Sequence, residues 1–121
     1  MDRLLLNGSP MLKAKFFAGI SALEACLVSD PAHIIPGAVG DHVRRIQVAL
    51  VTLDEADIEE AEVADGRNGP TTTAAILAYK TRRSIINYAY QRSPDNIVGK
   101  MTMASLDREM VAWEAQNPQR Q

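Results

Sequence analysis

Cysteine is nearly absent from this sequence, since Cys26 is the only one among 121 residues. One cysteine cannot form a disulfide within the chain, so the sequence carries no sign of an oxidising compartment. The residues around it are apolar and follow a helical pattern, and no acid–base pair lies beside it in sequence. We therefore predict that Cys26 is a small buried hydrophobic residue and not a reactive thiol.

The sequence also lacks the charge and the long apolar runs that two classes of protein require. Its formal net charge is -2, so the basic field that gives sequence-independent affinity for nucleic acid is missing. The longest apolar candidate, residues 11–28, is interrupted by Lys13, Lys15 and Glu24. These charges exclude a membrane span there. We expect neither a nucleic-acid partner nor a membrane-spanning segment.

A secretory signal peptide is not visible either. Leu4, Leu5 and Leu6 form a short apolar run before the turn residues at 7–10. That run is shorter than the roughly 7–15 apolar residues at the centre of such a signal. The localisation is therefore left open between the cytoplasm and export by a route independent of that signal.

Patterns for catalysis and metal binding are missing as well. His33 and His42 are the two histidines, and their separation across Pro36-Gly37 differs from the i, i+4 pair of a zinc-binding helix. Seven carboxylates lie within residues 54–65, but no frame through them matches an EF-hand loop. The sequence thus predicts a solvated acidic loop, no metal or other cofactor, and no enzymatic activity.

Apolar residues recur at helical spacing in four segments of the chain. This spacing predicts an all-α fold with helices near residues 11–28, 41–53, 71–84 and 102–115. The residues expected in the core are Leu23, Ile46, Leu50, Ile76, Tyr79, Val98 and Leu106.

Two turn-to-helix segments resemble each other. Residues 95–106 repeat the Asp, Gly, Thr and Ala positions of residues 65–76, 30 residues later. In each copy the Asp can accept hydrogen bonds from turn amides, the next residue tolerates a left-handed conformation, and the Thr can cap the helix. The residues in these three roles are Asp65, Gly66 and Thr72 in the first copy and Asp95, Asn96 and Thr102 in the second.

Together with the preceding helix, this repeat resembles the pattern of the peptidoglycan-binding domain family. The helix pattern Gly-x-x-Val-x-x-Leu-Gln-x-x-Leu is matched by Gly40, Val43, Ile46, Gln47 and Leu50. The two turns of the family are matched by Asp65, Gly66, Gly69 and Thr72, and then by Asp95, Val98, Gly99 and Thr102. Asn68 stands where the family usually has Phe or Tyr. The match covers residues 37–110, and three pieces in the right order are more specific than any one of them.

The resemblance implies a compact three-helix bundle with two repeated turns, to which this chain adds an N-terminal helix. The expected limits are 1–36 for that helix and a connector, 37–116 for the domain and 117–121 for a tail. The resemblance also implies a non-catalytic module that binds bacterial cell-wall peptidoglycan, with a hydrolase or a secretion component as a further partner. The alternative is an intracellular or secretion-system adaptor that uses the same helical scaffold to bind another protein.

Candidate ligand contacts cluster between the two turns. Tyr88 and Tyr90 offer aromatic faces on which sugars and peptide methyl groups can pack. Polar residues surround them in sequence, namely Arg83, Asn87, Gln91 and Arg92. The guanidinium groups can pair with a peptide-stem carboxylate. The competing interpretation is that one tyrosine fills the core beneath the loop and the arginines are solvated.

Overall fold

The structure is a computed structural model that describes residues 10–89 and 91–118. It contains α1 Ser21–Cys26, a short 3-10 helix Asp30–Ala32, α2 Asp41–Asp54, α3 Glu60–Asp65, α4 Pro70–Arg83 and α5 Lys100–Gln116. Within the described ranges there is no strand, only two isolated bridges. The all-α prediction is confirmed, and three of the four predicted helices lie within two residues of their expected limits. None of the described helices is long and apolar enough to cross a membrane.

Contacts divide the chain into two units. The first contains the described residues up to His33 and those from Gly99 onward, and the second spans Ile34–Val98. The domain expected at residues 37–116 therefore draws on both units, and its limits stay a prediction.

The second unit is built on α2, which packs against α3 and α4. The apolar face of α2 is buried as its spacing predicts, with Ile46 and Leu50 each 1% exposed. Ile76 and Tyr79 of α4 are buried as well. Basic residues occupy the last turn of α4, where they complement the negative end of the helix dipole. Of the remaining predicted core residues, Val98 is buried in this unit, and Leu23 and Leu106 are buried in the first.

The long N-terminal helix predicted at residues 11–28 is wrong, because only Ser21–Cys26 is helical. Gly19 adopts a φ of 81°, which interrupts a regular helix. The amides of residues 11–16 donate to side-chain carboxylates and not to helix carbonyls. They bond in successive pairs to Glu24, Asp107 and Glu114. The segment does carry apolar residues at helical spacing. Its backbone amides nevertheless donate to these carboxylates, and the spacing of residues in the sequence does not reveal such partners.

The solvated acidic loop predicted at residues 54–65 is also wrong in part. Its second half forms α3, and Glu62 is 2% exposed. Asp54 is held by Arg82 and Arg83, with N···O distances of 3.0 and 2.8 Å. Two of the seven carboxylates are therefore used inside the protein, because each has donors that come from α4.

Candidate functional site

The turn at Asp65 is closed by backbone contacts that only glycine permits. Gly66 has a φ of 60°, and a Cβ at this position would lie 2.7 Å from the carbonyl oxygen of Gly40. The Gly40 amide donates to the Gly66 carbonyl at 2.9 Å. The left-handed conformation expected at Gly66 is confirmed, and the turn is fixed against the residue that precedes α2.

Gln47, a residue of the family pattern, lies fully buried beneath this turn. Its Nε2 donates to the carbonyl oxygen of Arg67 and to the hydroxyl of Thr72, each at 2.9 Å, and to the carbonyl oxygen of Glu62 at 3.3 Å. The side chain thus joins α2 to α3, to the turn and to the first turn of α4.

Glu62 caps the start of α4. Its carboxylate accepts hydrogen bonds from the amides of Thr71 and Thr72 at 3.0 and 2.8 Å and from the Thr72 hydroxyl at 2.7 Å. Burial would raise the pKa of Glu62, but these hydrogen bonds outweigh it and lower the pKa to about 2. The carboxylate is therefore ionised at neutral pH and complements the positive end of the helix dipole.

Thr72 and Thr102 do not cap their helices, so this prediction is wrong. Both helices begin two residues earlier, at Pro70 and Lys100, and their N-cap residues are Gly69 and Gly99, which have no side chain to form a cap. Both threonines are buried inside the helices, and Thr72 bridges Gln47 and Glu62.

The turn at Asp95 is closed by side chains. Asp95 Oδ1 accepts from the Ile97 amide at 3.1 Å, as predicted, and from Lys80 Nζ at 2.5 Å. Lys80 Nζ also donates to the Ile97 carbonyl at 2.7 Å. Burial would raise the pKa of Asp95, but the bonds from Lys80, Ile97 and Gln91 hold it below its usual range. Asn96 does not adopt the expected left-handed conformation, since the turn is closed without a positive φ.

An open pocket of about 340 Å³ lies beside this turn and is lined by Tyr88, Ala89, Gln91 and Arg92. We call it the Tyr88 pocket. Tyr88 is 74% exposed, so its ring is available to a ligand. Three predicted contact residues, Tyr88, Gln91 and Arg92, line this pocket. Tyr90, also predicted as a contact, lies outside the described residues.

Asn87 supports the loop that forms this pocket. Its amide donates to Gln91 Oε1 at 3.1 Å, and its carbonyl accepts from the Gln91 amide at 2.9 Å. Its side-chain oxygen accepts from the Ala89 amide at 3.2 Å. Asn87 thus holds two pocket residues in place, and a direct ligand contact by Asn87 stays a prediction.

Arg83 makes its contacts inside the protein. Its guanidinium donates to both carboxylate oxygens of Asp54, at 2.8 and 3.1 Å, and lies 3.6 Å from the centre of the Tyr79 ring. Hydrogen bonds from Arg83 are the largest influence on Asp54, and they lower the pKa of its carboxyl. Arg83 is not among the residues that line the Tyr88 pocket, so its ligand contact also stays a prediction.

The described part of the chain also contains side chains of the types that bind metal ions. No group of three or more His, Cys, Asp or Glu residues there could hold a metal ion. Cys26 is fully buried, as predicted, and burial raises the pKa of its thiol to about 11. Its Sγ donates to the carbonyl of Ala32 at 3.1 Å.

Comparison with known proteins finds no match: no family model, no curated protein and no solved structure matches this chain.

Proposed function

We propose that this protein is a non-catalytic module that binds bacterial cell-wall peptidoglycan through the Tyr88 pocket. The observation that carries the proposal is an exposed aromatic ring that lines one open pocket together with an amide and a guanidinium group. This combination suits a ligand with sugar rings, peptide methyl groups and carboxylates.

The arrangement of the family-pattern residues supports the finer part of the proposal, a three-helix fold with two repeated turns. Residues far apart in sequence meet in the second unit: Gly40 bonds to Gly66, and Gln47 bonds to Thr72. Such contacts give a structural reason for a pattern that fixes these residue types at these spacings. These contacts support the resemblance in addition to the order of the residues in the sequence.

The chemistry of the pocket supports peptidoglycan as the ligand. The ring of Tyr88 offers an apolar face of the kind on which sugars and alanine methyl groups pack. Arg92 is exposed and has no ion pair with a described residue, so its guanidinium is available to a stem-peptide carboxylate. A volume of about 340 Å³ lies at the lower end of the range for small-molecule sites, which suits one sugar or a short peptide.

Affinity for a single site is expected to be weak, micromolar or poorer. A shallow site buries little ligand surface, and association must offset roughly 4 kcal/mol or more of lost translational and rotational freedom. Attachment to a hydrolase or to another wall-associated protein would compensate through avidity.

Co-sedimentation with purified insoluble peptidoglycan tests the proposal. The polymer pellets, whereas a chain of 121 residues stays in solution. We expect wild type to pellet, and Tyr88→Ala and Arg92→Ala each to weaken binding about tenfold, equivalent to about 1.4 kcal/mol.

Matched controls remove similar groups elsewhere. Val28→Ala shortens an apolar side chain that is 58% exposed, and Arg108→Ala removes an exposed guanidinium. Both should pellet like wild type. Wild type that remains in the supernatant at every salt concentration would overturn the proposal and favour the protein-binding adaptor. Release of soluble muropeptides by the purified protein would overturn its non-catalytic part.

A further inference from the structure

A buried ammonium group lies behind the loop that forms the Tyr88 pocket. The side chain of Lys80, on α4, is 7% exposed. Its Nζ bonds to Asp95 Oδ1 at 2.5 Å and to the carbonyl of Ile97 at 2.7 Å. Burying an ammonium group costs free energy unless it is paired and hydrogen-bonded, and both acceptors of Lys80 belong to the segment that follows the pocket loop.

The hydrogen bonds continue from Asp95 into the pocket. The second carboxylate oxygen of Asp95 accepts from Gln91 Nε2, and Gln91 Oε1 accepts from the Asn87 amide. Gln91 itself lines the pocket. A continuous path of polar contacts therefore runs from Lys80 through Asp95 and Gln91 to Asn87.

The Lys80–Asp95 pair bears on the order of the pocket loop more than on overall stability. The Lys80–Asp95 pair is half-buried, since the lysine side chain is 7% exposed and the aspartate side chain 35%. Desolvation offsets much of the attraction in such a pair, so its net contribution to stability is small. A loop conformation that moved Asp95 and the Ile97 carbonyl away would leave the Lys80 ammonium group buried without a partner. Tyr88, Ala89 and Arg92 are exposed, so packing contributes little to the order of the loop.

We propose that Lys80 is a positioning residue of the Tyr88 pocket. Its ammonium group fixes Asp95, which holds Gln91 and, through Asn87, the backbone that carries Tyr88. Lys80 does not line the pocket and acts on the ligand only through this path. The ligand-binding part rests on the proposed function, whereas the ordering of the loop can be measured without any ligand.

Amide hydrogen exchange measures the ordering of the loop. The amides of Ala89, Gln91 and Ile97 are hydrogen-bonded within this network. Lys80→Met, and independently Asp95→Asn, should speed their exchange about tenfold or more. Amides in the middle of α2, such as that of Leu50, should keep their protection because the core is intact.

Restoring the ammonium group separates positioning from packing. In a Cys26→Ala background, Lys80→Cys is unfolded, treated with 2-bromoethylamine and refolded. The thiolate displaces bromide and forms a C–S bond, giving a side chain of lysine length with a terminal ammonium. Alkylation with iodoacetamide, which displaces iodide, gives a neutral side chain as the control.

The ammonium product should recover slow exchange of the loop amides and peptidoglycan binding within about twofold of the Cys26→Ala reference. The neutral product should recover neither. Lys100 is a half-exposed lysine whose Nζ lies 3.6 Å from Asp30 Oδ1. Lys100→Met should change neither the loop exchange nor the binding.

Three results overturn the positioning role, and a fourth separates it from the proposed function. Loop exchange that is unchanged in Lys80→Met and Asp95→Asn overturns the positioning role, as does equal loss of protection in α2 and in the loop. Equal recovery by the neutral product also overturns it, since packing or an uncharged hydrogen-bond donor would then suffice. If the loop responds as expected but wild type does not pellet with peptidoglycan, the proposed function fails while Lys80 keeps its role in ordering the loop.

Discussion

The two Asp-led turns share a sequence pattern but are stabilised by groups of opposite charge. The turn at Asp65 is closed by the left-handed backbone of Gly66, with the carboxylate of Glu62 on the amides at the start of α4. At Asp95 a carboxylate and a backbone carbonyl accept from the ammonium group of Lys80.

This difference separates a structural turn from a turn that leads to a candidate site. The first is locked through backbone contacts and a buried carboxylate, so small changes there should destabilise the second unit. At the second, side chains tie the turn to α4 and to the Tyr88 pocket, so changes there should mainly affect loop order and binding. A short sequence pattern specifies that a turn forms, but partners distant in sequence specify how it is held.

The largest expected effect on the free energy of unfolding is at Glu62, which stabilises the turn at Asp65. A carboxyl whose pKa is about 2 when folded and 4.5 when unfolded stabilises the folded state by roughly 3 kcal/mol above pH 4.5. Because the folded pKa is lowered, this stabilisation is lost as pH falls from 4.5 towards 2. Glu62→Gln should lower the free energy of unfolding by a similar amount at pH 7, measured by chemical denaturation.

Acid titration of this variant checks the cause. The loss of stability between pH 4.5 and 2 should be shallower in Glu62→Gln than in wild type. Glu60 lies on the same helix but is exposed, so the stability of Glu60→Gln should depend on pH as that of wild type does. If Glu62→Gln lost as much stability as wild type between pH 4.5 and 2, the hydrogen bonds from α4 to Glu62 would not contribute to folding.

A smaller effect is expected at Gly66, and it compares the two turns directly. Alanine there must adopt a φ of 60° and place its Cβ 2.7 Å from a backbone oxygen. The left-handed conformation alone costs about 1–2 kcal/mol, and the close contact adds to it. Gly66→Ala should therefore lower the free energy of unfolding by about 2 kcal/mol.

Asn96→Ala is the matched change in the second turn. Asn96 has no positive φ, so alanine should cost within about 0.5 kcal/mol. Thermal and chemical denaturation of both variants measures the difference. Equal losses would mean that the two turns are held by the same backbone geometry after all.

The smallest effect on stability is expected at Tyr88. A side chain that is 74% exposed contributes little to the core, so Tyr88→Ala should change the free energy of unfolding by less than about 0.5 kcal/mol. Denaturation curves that overlay wild type would assign any loss of peptidoglycan binding to the pocket itself. A large loss of stability would instead favour the interpretation that this tyrosine packs within the protein.

Much of the helical framework was predictable because the buried face of a helix appears in the sequence as apolar residues three and four positions apart. The spacing of Val43, Ile46 and Leu50 places them on one face of α2, and all three are buried. Gly66 was predictable as well, since few other residue types tolerate a positive φ. Tyr88, Gln91 and Arg92 lie close together in sequence and line one pocket, and their contact with a ligand stays a prediction.

What the tertiary structure alone decided is where the buried charged groups find their partners. Glu62 lies in a segment predicted as a solvated acidic loop, and Lys80 is one of the basic residues in the last turn of α4, yet one caps α4 and the other holds the turn at Asp95. Residues 11–16 have an apolar helical pattern, but carboxylates as distant in sequence as Asp107 and Glu114 take their amides. Spacing along the chain records which residues turn inward, because burial follows backbone geometry. It does not record which ionised group meets which amide, because those distances are set only when the segments pack.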